Sequence, residues 1–231
     1  EWIFGFGWNN TKWTDQKFPP SDKLNSLPIS QPVMLTRIEV HSCWVNHTAM
    51  QLSGLDVSQN PPEGGEIINN CILIDNAMNL ILDVIPKPRK PDIERQLIKA
   101  MSHLNSLGLT SIHDPGSHID TISVLKSNSF KSSLKVYAML NYKEDEYSPY
   151  LSSGPFVNDP FLTIRTVKIY LDGALGSHGA ALLEPYSDDP DNIGLILEEC
   201  EQVKEDIKKI NDSGFQIAIH CIGDKANRMA L

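Results

Sequence analysis

Two apolar strands, each carrying a side chain able to hold a metal, constrain this chain more than any other feature. The first reads Thr166-Val167-Lys168-Ile169-Tyr170-Leu171-Asp172-Gly173, a β-branched run with a lysine inside it. A bare ammonium is costly to bury in an apolar strand, so Lys168 needs a partner or a chemical role. The second reads Phe215-Gln216-Ile217-Ala218-Ile219-His220 and runs into the turn Cys221-Ile222-Gly223-Asp224. Between them lie a loop and a helical segment marked by Leu197, Cys200, Val203, Ile207 and Ile210, closed by Gly214. Strand, long loop, helix, strand is the repeat of a parallel barrel or sheet, whose chemistry sits at the carboxyl ends of the strands.

The same rhythm starts upstream, after the run Pro86-Lys87-Pro88-Arg89-Lys90-Pro91, which cannot continue a helix and reads as a boundary. Asp92 is positioned to cap a helix with apolar residues Ile93, Leu97, Met101, Leu104 and Leu107, ending at Gly108. A strand over residues 110–114 should stop at Pro115-Gly116, followed by a helix over 119–126 and a strand over 134–140. Residues 141–163 read as an irregular connection. Four strands separated by helices or long crossovers predict an α/β fold, half of a (β/α)8 barrel. A doubly wound open sheet is the alternative, but no GxGxxG or Walker pattern supports it. Residues 1–90 differ in character and hold all four tryptophans. They predict a strand over 32–41, a helix over 46–53 stopped at Gly54, a turn at Gly64-Gly65 and a helix over 76–85.

With 231 residues, 41% of them hydrophobic, the chain can bury a real core. A net charge of −9 and a pI near 5.2 argue against nucleic acid or an anionic membrane as partner. No apolar run approaches the roughly 20 residues of a membrane span. Cys43, Cys71, Cys200 and Cys221 are scattered without a CxxC pair, which fits a reducing, cytoplasmic compartment rather than a disulfide framework. The first residues, Glu1-Trp2-Ile3-Phe4, and the last, Arg228-Met229-Ala230-Leu231, read as an internal piece of a longer protein.

His220 ends its strand where barrel enzymes place ligands and bases, although a strand-end histidine satisfied by backbone is equally expected. Lys168 could pair with Asp172 or Asp114. Alternatively its amine could take up carbon dioxide, giving a carbamate able to bridge two divalent ions. His113 and Asp114 offer a second polar pair aimed at the same mouth. The glycines of Asp172-Gly173-Ala174-Leu175-Gly176-Ser177-His178 would let backbone approach a ligand, or simply turn the chain. Arg37, His41, Trp44 and Asn46 cluster in sequence, as a pocket lining or as the mortar of the first domain.

In order along the chain stand Gly7-Trp8, Arg37-x-x-x-His41-x-x-Trp44-x-Asn46, Gly108-Leu109-Thr110-Ser111-x-His113-Asp114 and Val167-Lys168-x-x-x-Asp172-Gly173-Ala174-Leu175-Gly176-Ser177. Pro185-Tyr186-Ser187-Asp188 and His220-x-x-Gly223-Asp224-x-Ala226 follow. This series resembles the amidohydrolase family 3 branch of the metal-dependent amidohydrolase superfamily, the group similar to N-substituted formamide deformylase.

The resemblance implies a partial (β/α)8 barrel, strands two to five, over residues 91–231. It also implies an inserted α/β domain over residues 1–90, packed over the barrel mouth. It implies a hydrolase of carbon–nitrogen bonds other than peptide bonds, acting on a small-molecule amide or formamide with one or two divalent ions, zinc by preference. Lys168, as a carbamate on the fourth strand, and His220 on the fifth would be metal ligands. His220, His113 and Asp172 are the catalytic candidates. Arg37, His41, Trp44, Asn46 and Asp224 are the candidates for the substrate pocket.

Rival readings are a cyclic-amide-opening or deaminating specificity on the same scaffold, and a barrel that has lost its metal. The family's His-x-His pair, sixth-strand histidine and eighth-strand aspartate, its general base, have no counterpart here. With two ligands, the 231-residue chain alone should neither hold metal tightly nor hydrolyse anything. Open sheet edges should favour association, and a homo-oligomer is compatible with that.

Overall fold

The structure, a computed structural model, describes residues 1–55, 60–127 and 130–231. The chain forms two compact units, one of residues 1–86, 171–199 and 221–231, the other of residues 87–170 and 200–220. Its elements begin with strand β1 (Ile3–Trp8), helix α1 (Asp22–Asn25), β2 (Val33–Arg37), β3 (Ser42–Val45) and α2 (His47–Ser53). Next come β4 (Gly65–Ile68), β5 (Ile72–Asp75), α3 (Asn79–Leu82), α4 (Lys90–Ser106), β6 (Ser111–Ser117) and α5 (Ile119–Leu125). They continue with β7 (Lys135–Asn141), α6 (Glu144–Leu151), β8 (Leu162–Tyr170), α7 (Cys200–Asp212), β9 (Gln216–His220) and α8 (Asp224–Ala230).

The first unit is built on a sheet ordered β1-β2-β3-β5-β4. β1 and β2 run parallel and the remaining pairs antiparallel. Because side chains alternate across a strand, the sheet feeds two apolar clusters. Met34, Cys43, Val45 and Leu73 pack with Ala49, Met50 and Ile81 of α2 and α3. Val33, Trp44, Ile72 and Ile74 pack with Leu24 of α1. Asn46 fixes the start of α2, its Oδ1 accepting from Ala49 N at 3.0 Å as an N-cap. The same oxygen accepts from Val33 N at 2.9 Å, which ties the helix start to β2.

The second unit is a parallel sheet ordered β6-β7-β8-β9. One face carries Val136, Ala138, Leu140, Ile164 and Val167, packed against Ile93, Met101, Ile122, Val124 and Ile210 of the helices α4, α5 and α7. By strand alternation the opposite face presents Tyr137, Thr166, Lys168, Tyr170, Gln216 and His220. That face is polar where its counterpart is apolar. No helix among the described residues is long and apolar enough to cross a membrane.

Several expected boundaries shift. The strand expected over 32–41 ends at Arg37, with Val40 at φ 63° in the following turn. The helix expected over 76–85 is a 3-10 turn, Asn76–Met78, and the short α3. α4 starts at Lys90, so Pro91 lies in its first turn, where a missing N–H breaks no helical hydrogen bond, and Asp92 sits inside the helix. β6 runs through Pro115-Gly116 to Ser117, because Pro115 stays paired with Met139 and a bulge before Ser117 absorbs Gly116. Residues 141–163 contain α6, with Pro149 inside it. β8 stops at Tyr170, two residues short of Asp172.

Candidate functional site

The polar face of the parallel sheet brings Lys168 and His220 together around Tyr170. Lys168 pairs in register with Ala218, and Tyr170 with His220. Lys168, two residues before Tyr170, therefore shares its face, with His220 alongside on the neighbouring strand. Only 8% of Lys168 is exposed. Its Nζ lies 4.1 Å from the centre of the Tyr170 ring and donates to Ile169 O at 3.3 Å. The His220 imidazole is tilted against the same ring at 5.4 Å between centroids.

Tyr170 is in turn anchored. Its hydroxyl donates to Pro115 O at 3.1 Å, at the β6 bulge. Burial, with the Asp114 carboxylate adding to it, pushes the Tyr170 hydroxyl above its ordinary pKa. Beside the bulge, Asn141 Nδ2 donates to Glu146 Oε2 at 2.9 Å, and Glu146 is buried. Asp114 accepts from Ser117 Oγ at 2.5 Å, so its carboxylate is engaged within its own strand.

His113 does not join this group. Because β6 continues to Ser117, His113 is its third residue rather than its end, and it stacks on Tyr137 at 4.8 Å. It lines a small cavity of about 100 Å³ with Ser111, Lys135 and Leu162, the first residues of β6, β7 and β8. That places it toward the amino ends of the strands, the opposite end from Lys168 and His220. Tyr137 closes the ground between, its hydroxyl 2.7 Å from Thr166 Oγ1 and donating to Gln216 Oε1 at 3.0 Å.

The other candidates lie in the first unit, where Asp172, Asp224 and Asn46 hold backbone and Arg37 and His41 pair with other side chains. Asp172 is fully buried and accepts from Ala181 N, Ile222 N and Gly223 N at 3.0, 2.8 and 2.7 Å. Asp224 opens α8 and accepts from Leu183 N and Lys225 N, each at 2.9 Å. Asn46 caps α2 and donates to Gln31 O at 2.9 Å. Arg37 is buried between the Trp8 and Phe18 rings, donates from Nε to Asn10 Oδ1 at 2.9 Å and pairs with Glu39 at 2.8 Å. Trp44 meets Trp8 edge-on at 6.3 Å inside the core. His41 pairs through Nδ1 with the buried Asp75 carboxylate at 2.6 Å. A side chain at Gly173 or Gly179 would collide with that carboxylate, so the glycine at 173 serves the approach of Asp75.

Tyr170 and Asp75 are the residues that sequence reasoning passed over. A tyrosine in a strand is an ordinary β-former, and an aspartate after an apolar strand reads as a turn residue. The alternation Lys168-x-Tyr170 was the available signal for the first. Among the described residues, no three His, Cys, Asp or Glu side chains gather as a metal cage. Were Lys168 carboxylated, it would offer an oxygen and His220 a ring nitrogen, donor types that a divalent metal ion accepts.

Comparison with known proteins sets this geometry among relatives. The chain is 28% identical over 239 residues to YtcJ of Bacillus subtilis (strain 168), designated an amidohydrolase, covering 98% of this chain and 45% of that protein. It is 29% identical over 251 residues to the protein LONG AFTER FAR-RED 3 of Arabidopsis thaliana, covering 100% and 42%. Among solved structures, an uncharacterized metal-dependent hydrolase from Pyrococcus horikoshii OT3 superposes with a TM-score of 0.69 at 28% identity, covering 99% of this chain and 46% of that one. One from Pyrococcus furiosus gives 0.64 at 26% identity, covering 99% and 48%. The chain thus spans less than half the length of these relatives. The family model of the amidohydrolases matches residues 1–231 from end to end, and the chain belongs to the amidohydrolase family.

Proposed function

We propose that this chain supplies part of a metal-dependent hydrolase that cleaves carbon–nitrogen bonds other than peptide bonds, in N-substituted amides or formamides. The observation that carries the reading is Lys168, buried on the polar face of a parallel sheet beside His220. Membership of the amidohydrolases and the likeness to two metal-dependent hydrolases support it. The sheet, four parallel strands in sequential order with helices packed on one face, fits half of a (β/α)8 barrel.

On this reading Lys168, as its carbamate, and His220 hold a divalent ion, zinc by preference, with the remaining ligands drawn from the rest of the full-length protein. When bound, the ion supplies a Lewis acid for the substrate carbonyl and an activated water. Lys168 contributes an anionic oxygen in place of its ammonium, and His220 a neutral nitrogen. The Tyr137 hydroxyl, 2.7 Å from Thr166 Oγ1 and donating to Gln216 Oε1, ties β7, β8 and β9 together on the same face.

The test is a panel of an N-substituted formamide, an N-acylated amine and a dipeptide, given to the full-length protein. The expected result is amine release from one or both of the first two and none from the dipeptide. A chelator should abolish turnover and zinc restore it. Dipeptide hydrolysis, or turnover indifferent to chelator, contradicts the reading.

A further inference from the structure

We infer that Tyr170 is a positioning residue that sets the separation and orientation of Lys168 and His220. The inference rests on the reading of those two side chains as metal ligands. Lysine hangs its nitrogen on a flexible four-carbon stem, and ordering such a stem carries a large entropy cost. A metal ligand, by contrast, must be held in one geometry, and loss of a group that orients a ligand typically costs about 10- to 100-fold in metal affinity. Tyr170 meets both requirements from one ring.

The amine of Lys168 rests 4.1 Å from the ring centre, while His220 packs at 5.4 Å with an interplanar angle of 39°. Strand register places Tyr170 directly across from His220. Alternation puts Lys168 one step below on the same face. The phenol end is held by the bond from its hydroxyl to Pro115 O, on a strand separated from β8 by β7. That tether fixes the ring from the far side, so a single aromatic plane links three of the four strands. The bulge in β6 is what delivers the Pro115 carbonyl to this point.

The two parts of the side chain make separable predictions. Tyr170→Leu removes ring and tether, whereas Tyr170→Phe keeps the ring and removes the tether. Zinc affinity is measured on the full-length protein by competition with a chromophoric chelator, and the visible spectrum of the cobalt-substituted protein reports ligand geometry. Tyr170→Leu should weaken zinc binding about 10- to 100-fold, the range for groups that orient ligands. Tyr170→Phe should weaken it less than Tyr170→Leu does and alter the cobalt bands. Wild-type affinity in Tyr170→Leu overturns the inference. If Tyr170→Leu fails to fold, wild-type affinity and unchanged cobalt bands in Tyr170→Phe overturn it instead. Lys168→Ala and His220→Ala separate this outcome from failure of the ligand reading. If either binds zinc as the wild type does, the ligand assignment fails. If both lose zinc while the Tyr170 variants keep it, the positioning role alone fails.

Discussion

Asp206 illustrates how the second unit fixes its helices to its sheet with single polar contacts. It sits on the buried side of α7 and accepts from the Tyr142 hydroxyl at 2.7 Å, just past the end of β7. Lys209 donates to its other oxygen at 2.9 Å. Burial alone would raise its pKa, but the bonds from Tyr142 and Lys209 outweigh that and hold the carboxyl below its usual range. A depressed folded-state pKa means that the charged form is the one the fold favours. The resulting stability is complete above the ordinary aspartate pKa of about 4 and fades as pH falls through the lower folded value. Asp206→Asn should therefore cost about 1 kcal/mol in urea melts at pH 7, with the gap to wild type closing as pH falls below the ordinary aspartate range. A gap that is constant with pH would mean that the charge contributes nothing.

The same scale shows what was legible in the residues. Lys168 and His220 could be singled out because one is a lysine inside an apolar strand and the other ends such a strand at a turn. Asp172 and Asp224 looked like site residues because they are polar and flank glycine-containing turns, and Asn46 because it clusters in sequence with Arg37, His41 and Trp44. Besides local bonds to Ala49 and Lys225, their acceptors meet N–H groups distant in sequence: Asp172 reaches Ile222 and Gly223, Asp224 reaches Leu183 and Asn46 reaches Val33. Nothing local in a sequence announces which distant backbone will return to a carboxylate.

At the scale of elements, the alternation of strand and helix after residue 90 was readable from apolar periodicity alone. α6 was hidden because Pro149 and the serines around it resemble a loop, although the helix survives with the proline near its end. β6 was read too short for the related reason that Pro115-Gly116 usually ends a strand, and the error carried His113 to the wrong end of the sheet. Gly116 has φ 107° there, and a Cβ would lie 2.7 Å from Asn141 Oδ1, which Glu146 holds in place. Gly108, after α4, has φ 84° with nothing within 4 Å of a Cβ. Gly108→Ala should thus cost only the backbone strain, about 1 kcal/mol, and Gly116→Ala clearly more in the same denaturant melt. Equal costs would show that Asn141 yields freely and that the bulge is not tightly packed.

For the whole molecule, the family resemblance came from six motifs in order, each too weak by itself, and the family match extends over all 231 residues. The division into two compact units follows the contacts of the folded chain, which return residues 171–199 and 221–231 to the first unit. Periodicity cannot show such a return, because it reads only neighbours in sequence. The central claim is that Lys168 becomes a carbamate that holds metal together with His220. Its most direct test is carbon-13 NMR of the full-length, zinc-loaded protein equilibrated with labelled bicarbonate. One carbamate signal per chain in the wild type, absent from Lys168→Ala, is the expected result. No carbamate in the wild type, or a signal that persists in Lys168→Ala, would contradict it.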